Sequence, residues 1–161
     1  MESSSTRDAT RVVHVPAIRA QPVPVKSVNE TLAMSCGRVL VMDDQLEIRE
    51  LAAEALAYLG YDVETAADGP EAIALFQRAL KEDKPFGVVI LDLTIPGGMG
   101  GREVARHILK MDPKAKLIVA SGYCTDPVME NHQAYGFCAM LRKPYTLGEM
   151  NQTLLDVMAR D

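Results

Sequence analysis

Four short apolar runs in this chain each end on a residue that carries chemistry, and that repetition constrains the fold more than any other feature. Arg38-Val39-Leu40-Val41-Met42 ends at the acid pair Asp43-Asp44, and Phe86-Gly87-Val88-Val89-Ile90-Leu91 ends at Asp92. Leu117-Ile118-Val119-Ala120 is closed by Ser121, and Ala139-Met140-Leu141-Arg142 by Lys143 ahead of Pro144. Runs of this length, rich in Val and Ile, suit parallel strands buried on both faces. If all four are strands of one parallel sheet, the acid pair, the lone acid, the hydroxyl and the lysine meet at one carboxyl edge.

Helical stripes lie between the runs. From Gln45 to Leu59 the apolar positions Ile48, Leu51, Ala52, Ala55 and Leu59 recur at helical spacing, and Gly60 supplies a C-terminal stop. A strand over Asp62–Ala66 and a helix from Pro70 to about Lys81 follow, the helix with Ile73, Phe76 and Leu80 on one face. A third helix is predicted over Gly101–Met111, striped by Val104, Ile108 and Met111, and a fourth from Pro127 to Tyr135 with Asp126 as its cap. Thr146-Leu147-Gly148-Glu149 reads as a capping box that opens a last helix with Leu147, Met150, Leu154 and Met158 inward. Five strand–helix units in series predict an α/β fold, a doubly wound (βα)₅ parallel sheet covered by helices on both sides.

The acid cluster suits the capture of a phosphoryl group on a carboxylate. Two carboxylates about 4 Å apart repel by roughly 4 kcal/mol at an effective dielectric of about 20, so three of them need a cation. Mg²⁺ takes hard oxygen ligands and keeps waters that a phosphate displaces, which makes it the natural candidate. Asp92 is then the nucleophile, an anion at neutral pH that needs no general base. Lys143 and Ser121 are placed to neutralise and hydrogen-bond the phosphoryl oxygens.

In this order the motifs Val39-Leu40-Val41-Met42-Asp43-Asp44, Leu91-Asp92-Leu93-Thr94-Ile95-Pro96, Ala120-Ser121-Gly122 and Lys143-Pro144 resemble the receiver domain of two-component response regulators. The resemblance runs from about Gly37 to the C-terminus. It implies a flavodoxin-like sandwich with strand order 2-1-3-4-5, which sets strands 1 and 3 side by side at the ligand-binding switch point. It also implies that Asp92 is the phospho-acceptor and Asp44 a direct metal ligand. By the same resemblance Asp43 holds metal-bound water, the Thr94 backbone carbonyl is the third protein ligand, and Ser121 and Lys143 contact the phosphoryl oxygens. Two positions depart from the usual pattern. Met140 stands where many members carry a Tyr or Phe that rotates inward, so the expected switch pair here is Ser121 and Met140. The loop Ile95-Pro96-Gly97-Gly98-Met99-Gly100-Gly101 is richer in glycine and reads as one residue longer than usual, and its glycines are expected to make it mobile.

Each of these residues also has an ordinary reading. An Asp at a strand end is often a helix cap, and Asp44 could cap the helix that follows. Ser121-Gly122 could be a turn and Lys143 a solvated residue before a proline, but all of them together at strand ends favour the site. His14, His107 and His132 stand apart and read as surface residues, so the chain has no evident phosphodonor histidine of its own.

The remaining composition narrows function. At 161 residues, 48% apolar, the chain buries one sizeable core. A net charge of −5 and the absence of a basic run or helix-turn-helix pattern argue against nucleic acid. Cys36, Cys124 and Cys138 have no metal-ligand spacing, which predicts a reducing compartment; Cys124 near the site invites a redox reading, though a free Cys is usually a small buried hydrophobe. Neither a signal peptide nor a run of about 20 apolar residues is visible, so a cytoplasmic location without membrane contact is expected.

Residues 1–36 read as a leader, an extended or disordered linker broken by Pro16, Pro22 and Pro24. One short strand is allowed at Arg11-Val12-Val13-His14-Val15, where the segment resembles the last strand of the ATP-binding domain of histidine kinases. Residues 37–161 are the receiver unit. The expected partners are a histidine kinase or phosphotransfer protein as donor and a downstream protein as output. The context is either a stand-alone receiver or the C-terminal receiver of a hybrid histidine kinase. An alternative of another class is a Mg²⁺-dependent phosphatase with an aspartyl nucleophile. Such enzymes place a second acid two positions after the nucleophile, and here that position is Thr94.

Overall fold

The structure, a computed structural model, describes residues 37–123 and 125–160. The leader, its allowed strand at 11–15, Cys36 and Cys124 therefore lie outside the described residues. Five strands alternate with helices: β1 Arg38–Met42, α1 Leu46–Tyr58, β2 Asp62–Ala66, α2 Gly69–Lys81, β3 Val88–Asp92, α3 Gly101–Met111, β4 Leu117–Ser121, α4 Pro127–Glu130 with a 3₁₀ helix His132–Tyr135, β5 Ala139–Arg142 and α5 Leu147–Met158. The strands form one sheet in the order β2-β1-β3-β4-β5. Every pairing is parallel, with Val41 opposite Ile90 and Leu91 opposite Val119.

Period-two alternation sorts the strand side chains into two cores. Leu40, Met42, Val89, Leu91 and Val119 face α2, α3 and α4, where they meet Phe76, Val104, Ile108 and Met129. Val39, Val41, Ile90, Ile118 and Leu141 face α1 and α5, where they meet Leu56, Met150, Leu154 and Val157. β3 and β4 are buried at every position, which is why they read as unbroken apolar runs. β2 lies at the edge and shows its polar residues.

Three leucines depart from the expected inward faces. Leu51 is 69% exposed, Leu147 41% and Leu80 36%. The buried positions of α1 are Ala52 and Leu56, and those of α2 are Gly69, Ala72, Phe76 and Ala79. A helix lying close on a sheet selects small residues along its line of contact and leaves larger neighbours at the rim. The fourth helix is also not continuous to Tyr135. It stops at Asn131, whose N–H closes on the Pro127 carbonyl (3.1 Å) and whose backbone (φ −140°, ψ 61°) leaves the helical region. The chain resumes as a 3₁₀ turn ended by Gly136 at φ 87°. Asp126 does cap α4, its carboxylate accepting the Val128 N–H at 2.8 Å.

Candidate functional site

Backbone hydrogen bonds that continue past the strand ends fix the loops at the carboxyl edge. The Asp43 N–H donates to the Ala66 carbonyl (3.1 Å), Leu93 N–H to Ala120 (2.9 Å) and Lys143 N–H to Ser121 (2.9 Å). Asp43, Asp92 and Ser121 are thereby anchored and are 2%, 6% and 1% exposed, whereas Asp44 is exposed. The three acids do come together: Asp43, Asp44 and Asp92 each offer a carboxylate oxygen, and these lie within 4.8 Å of one another.

Lys143 is the cation that holds the buried pair. Its Nζ lies 2.5 Å from Asp43 Oδ2 and 3.3 Å from Asp92 Oδ2. Burial pushes the Asp92 carboxyl above its ordinary value; Lys143 opposes the rise, the charge of Asp43 adds to it, and hydrogen bonds from Lys143 and the Thr94 N–H again oppose it. For Lys143 burial disfavours the ammonium, but the hydrogen bond to Asp43 and the charges of Asp92 and Asp43 outweigh it and the group is held above its usual range. One lysine shared by two buried acids cannot satisfy both fully, which is why the carboxylate and the ammonium are displaced in the same direction.

Asp44 does not cap α1. The N-cap is Gln45 with no side-chain cap bond, and the carboxylate that accepts the Gln45 N–H, at 3.0 Å, is that of Asp43. Ser121 Oγ accepts the Tyr123 N–H at 3.1 Å, which leaves its own proton to be donated elsewhere. Asp44, Asp92, Thr94, Ser121 and Lys143 line one opening of about 310 Å³, together with Gln45, Pro96 and Tyr123. Its oxygen donors suit a hard divalent cation such as Mg²⁺ and offer no soft ligand for a thiophilic one.

Three neighbours were not read from the sequence. Arg49 on α1 donates to the Asp43 carbonyl at 2.6 Å. Tyr145, half-buried, has its phenol raised first by burial, then lowered by Lys143 and raised again by Asp43 and Asp92, so it shares the field of the site. Gly101 packs so closely under β3 that a Cβ there would stand 2.6 Å from the Asp92 carbonyl oxygen. The Lys-Pro-Tyr sequence was the one visible signal for Tyr145; Arg49 and Gly101 gave none. Met140 lies partly buried against the core between the sheet and α2, α3 and α4, away from the opening. His107 is exposed and His132 half-buried, and neither lines the opening.

Among the described residues no helix is long and apolar enough to cross a membrane. The sequence model of the response regulator receiver domain matches residues 39–155. A sensor kinase, CckA of Brucella abortus, is 29% identical over 147 residues, covering 88% of this chain and 15% of the kinase. A response regulator receiver protein of Anaeromyxobacter is 32% identical over 107 residues, covering 66% of this chain and 42% of that protein. The chain thus spans less than half the length of either relative. A solved structure of the chemotaxis protein CheY4 from Vibrio cholerae, 31% identical, superposes with a TM-score of 0.67 over 75% of this chain and 98% of that one.

Proposed function

Because the chain belongs to the response regulator receiver domain family, we propose that it accepts a phosphoryl group on Asp92 from a phosphohistidine and passes the signal to a protein partner. The observation that carries this is the convergence of Asp43, Asp44 and Asp92 within 4.8 Å, with Lys143 bridging Asp43 and Asp92. In the transfer an Asp92 carboxylate oxygen forms a bond to phosphorus as the nitrogen–phosphorus bond of the donor breaks, and the electron pair stays on the imidazole. No proton need leave Asp92.

Lys143 and the Ser121 hydroxyl would meet the charge on the phosphoryl oxygens. Mg²⁺ held by Asp44, Asp92 and the Thr94 carbonyl, and through water by Asp43, would supply further neutralisation of the transferring group. Against the phosphatase alternative, Thr94 offers no carboxyl to protonate a leaving group.

The context proposed is the C-terminal receiver of a hybrid sensor kinase in the cytoplasm. The support is the sensor kinase relative: a match over 88% of this chain is longer than residues 37–161 alone supply, so it reaches back into the leader. A reading frame that encodes a kinase core upstream of Met1 would bear this out, and its absence would favour a stand-alone receiver.

The chemistry is tested by incubating the full chain with acetyl phosphate and Mg²⁺ and recording intact mass. One phosphoryl group is expected on the parent and none on Asp92→Asn. Equal labelling of the two proteins would remove Asp92 from its role.

A further inference from the structure

Away from Asp92, two hollows adjoin on the side of the molecule formed by α3, the 3₁₀ helix and the lower ends of β4 and β5. The upper, about 480 Å³, is bordered by Arg102, Arg106 and Tyr135. The lower, about 710 Å³, is bordered by Lys114, Lys116 and Arg160 over apolar Pro113 and Ala115. Leu109 and Gly136 line both, so they form one trough. Gly136 fits there because its φ of 87° and the closeness of Leu109 leave no room for a side chain.

The charge of this trough is one-sided. Among the described residues that line it, five are cations and none is Asp or Glu. The ion pairs among the described residues lie elsewhere, at Arg38, Arg78 and Lys143. Lys116 Nζ and the Arg160 guanidinium donate to the backbone carbonyls of Met158 (3.1 Å) and Cys138 (2.9 Å), and neither forms an ion pair among the described residues. The Arg102 guanidinium stacks on Tyr135 at 4.7 Å, which holds it at the upper rim. All this stands in a chain of net charge −5 whose acids crowd between Asp43 and Asp83. Clustered cations repel one another, and an anionic partner relieves that repulsion.

We propose that this trough docks an acidic, extended segment of a partner protein, with carboxylates on the cations and apolar side chains on Leu109, Pro113 and Ala115. A nucleic-acid strand fits less well. It needs open aromatic faces for its bases, and the single aromatic of the trough, Tyr135, is covered by Arg102. The surface is independent of phosphoryl chemistry and does not rest on the role proposed for Asp92.

The test is fluorescence anisotropy of the full chain with a labelled peptide that alternates glutamate and valine. Saturable binding is expected, weakened about tenfold or more in the double variant Arg106→Glu/Lys114→Glu and by salt, since charges are screened within about 3 Å at 1 M. Asp92→Asn should bind as the parent does, and so should Glu50→Lys on the distant face of α1. Both trough substitutions are exposed, and an unchanged Tm verifies that the double variant is folded. Absence of saturable binding, or equal binding by the double variant, overturns the proposal. So does tighter binding of an oligothymidylate, which assigns the trough to nucleic acid. Self-association in sedimentation that the double variant abolishes also overturns it, because the occupant is then a second copy.

Discussion

At the scale of single residues, the site is a balance between two buried carboxylates and one lysine. Asp43 is committed to the fold as well as to the site, since it accepts the Gln45 N–H and its carbonyl accepts from Arg49. Asp92 accepts the Thr94 N–H, but burial penalises its charge more than its hydrogen bonds and Lys143 offset. Because its pKa is raised in the folded state, Asp92 favours folding most below its ordinary value of 3.8, and that contribution is lost as pH rises through the folded value. In metal-free protein, Asp92→Asn is therefore expected to raise Tm at neutral pH, with the gain shrinking toward acid in a calorimetric pH series. Asp44→Ala should leave the metal-free Tm unchanged or slightly higher while abolishing a Mg²⁺-dependent fluorescence or calorimetric signal. A fall of several degrees would mean that Asp44 supports the fold after all. The acids, Ser121 and Lys143 were legible because strand ends of a parallel sheet gather at one edge. Arg49, Tyr145 and Gly101 were not, because their parts depend on which helix passes which strand.

At the scale of elements, the strands and the helix caps were legible and the buried faces of helices only partly so. Strand burial on both sides writes itself into sequence as an apolar run. Helix faces do not, because Ala72 and Ala79 carry the contact of α2 while Leu80 stands at its rim. The break at Asn131 was equally hidden, for Asn tolerates a helix end without compelling one.

The capping box that opens α5 was read correctly. The Thr146 hydroxyl accepts the Glu149 N–H at 3.2 Å and Glu149 accepts the Thr146 N–H at 2.7 Å. The Thr146 N–H and, at 2.9 Å, the Thr146 hydroxyl both donate to the Glu149 carboxylate and hold it below its usual value of 4.5. A lowered acid stabilises the fold above its unfolded value and loses that effect as pH falls through the folded one. Glu149→Ala is expected to lower Tm at neutral pH by an amount that shrinks as pH falls below 4.5 in a calorimetric pH series, whereas Thr146→Ala should cost about 1 kcal/mol in urea unfolding at neutral pH. Under β3, Gly101→Ala is expected to cost roughly 1–3 kcal/mol by overpacking against the Asp92 carbonyl. Because the strain falls on the strand that ends in Asp92, acetyl phosphate labelling should slow in the same protein. Unchanged labelling would mean that the strand end absorbs the shift.

At the scale of the whole molecule, the two cores respond differently to the site. The core on the α1 and α5 side is closed beneath it by Val41, Ile90, Ile118 and Leu141, all nearly inaccessible. On the other side, Val128 and Met129 of the four-residue α4 pack on the sheet, and Met140 of β5 is only partly buried there. A phosphoryl group on Asp92 gives the Ser121 hydroxyl a charged acceptor, and movement of Ser121 toward it disturbs the Tyr123 N–H bond and the chain leading into α4. Interiors tolerate few voids, so a neighbour must follow, and Met140 is flexible and unbranched. The expected response is a shallow two-state shift, with a gap of a few kcal/mol, running through α4, β5 and α5. It is read from amide chemical shifts on adding beryllofluoride and Mg²⁺, in the parent and in Met140→Ala. Shifts should extend from Pro127 to Arg160 in the parent and weaken beyond β5 in the variant. If they stay confined to the loops around Asp44, Asp92 and Lys143, or if Met140→Ala leaves the distant shifts intact, the signal leaves the site by another route than Met140.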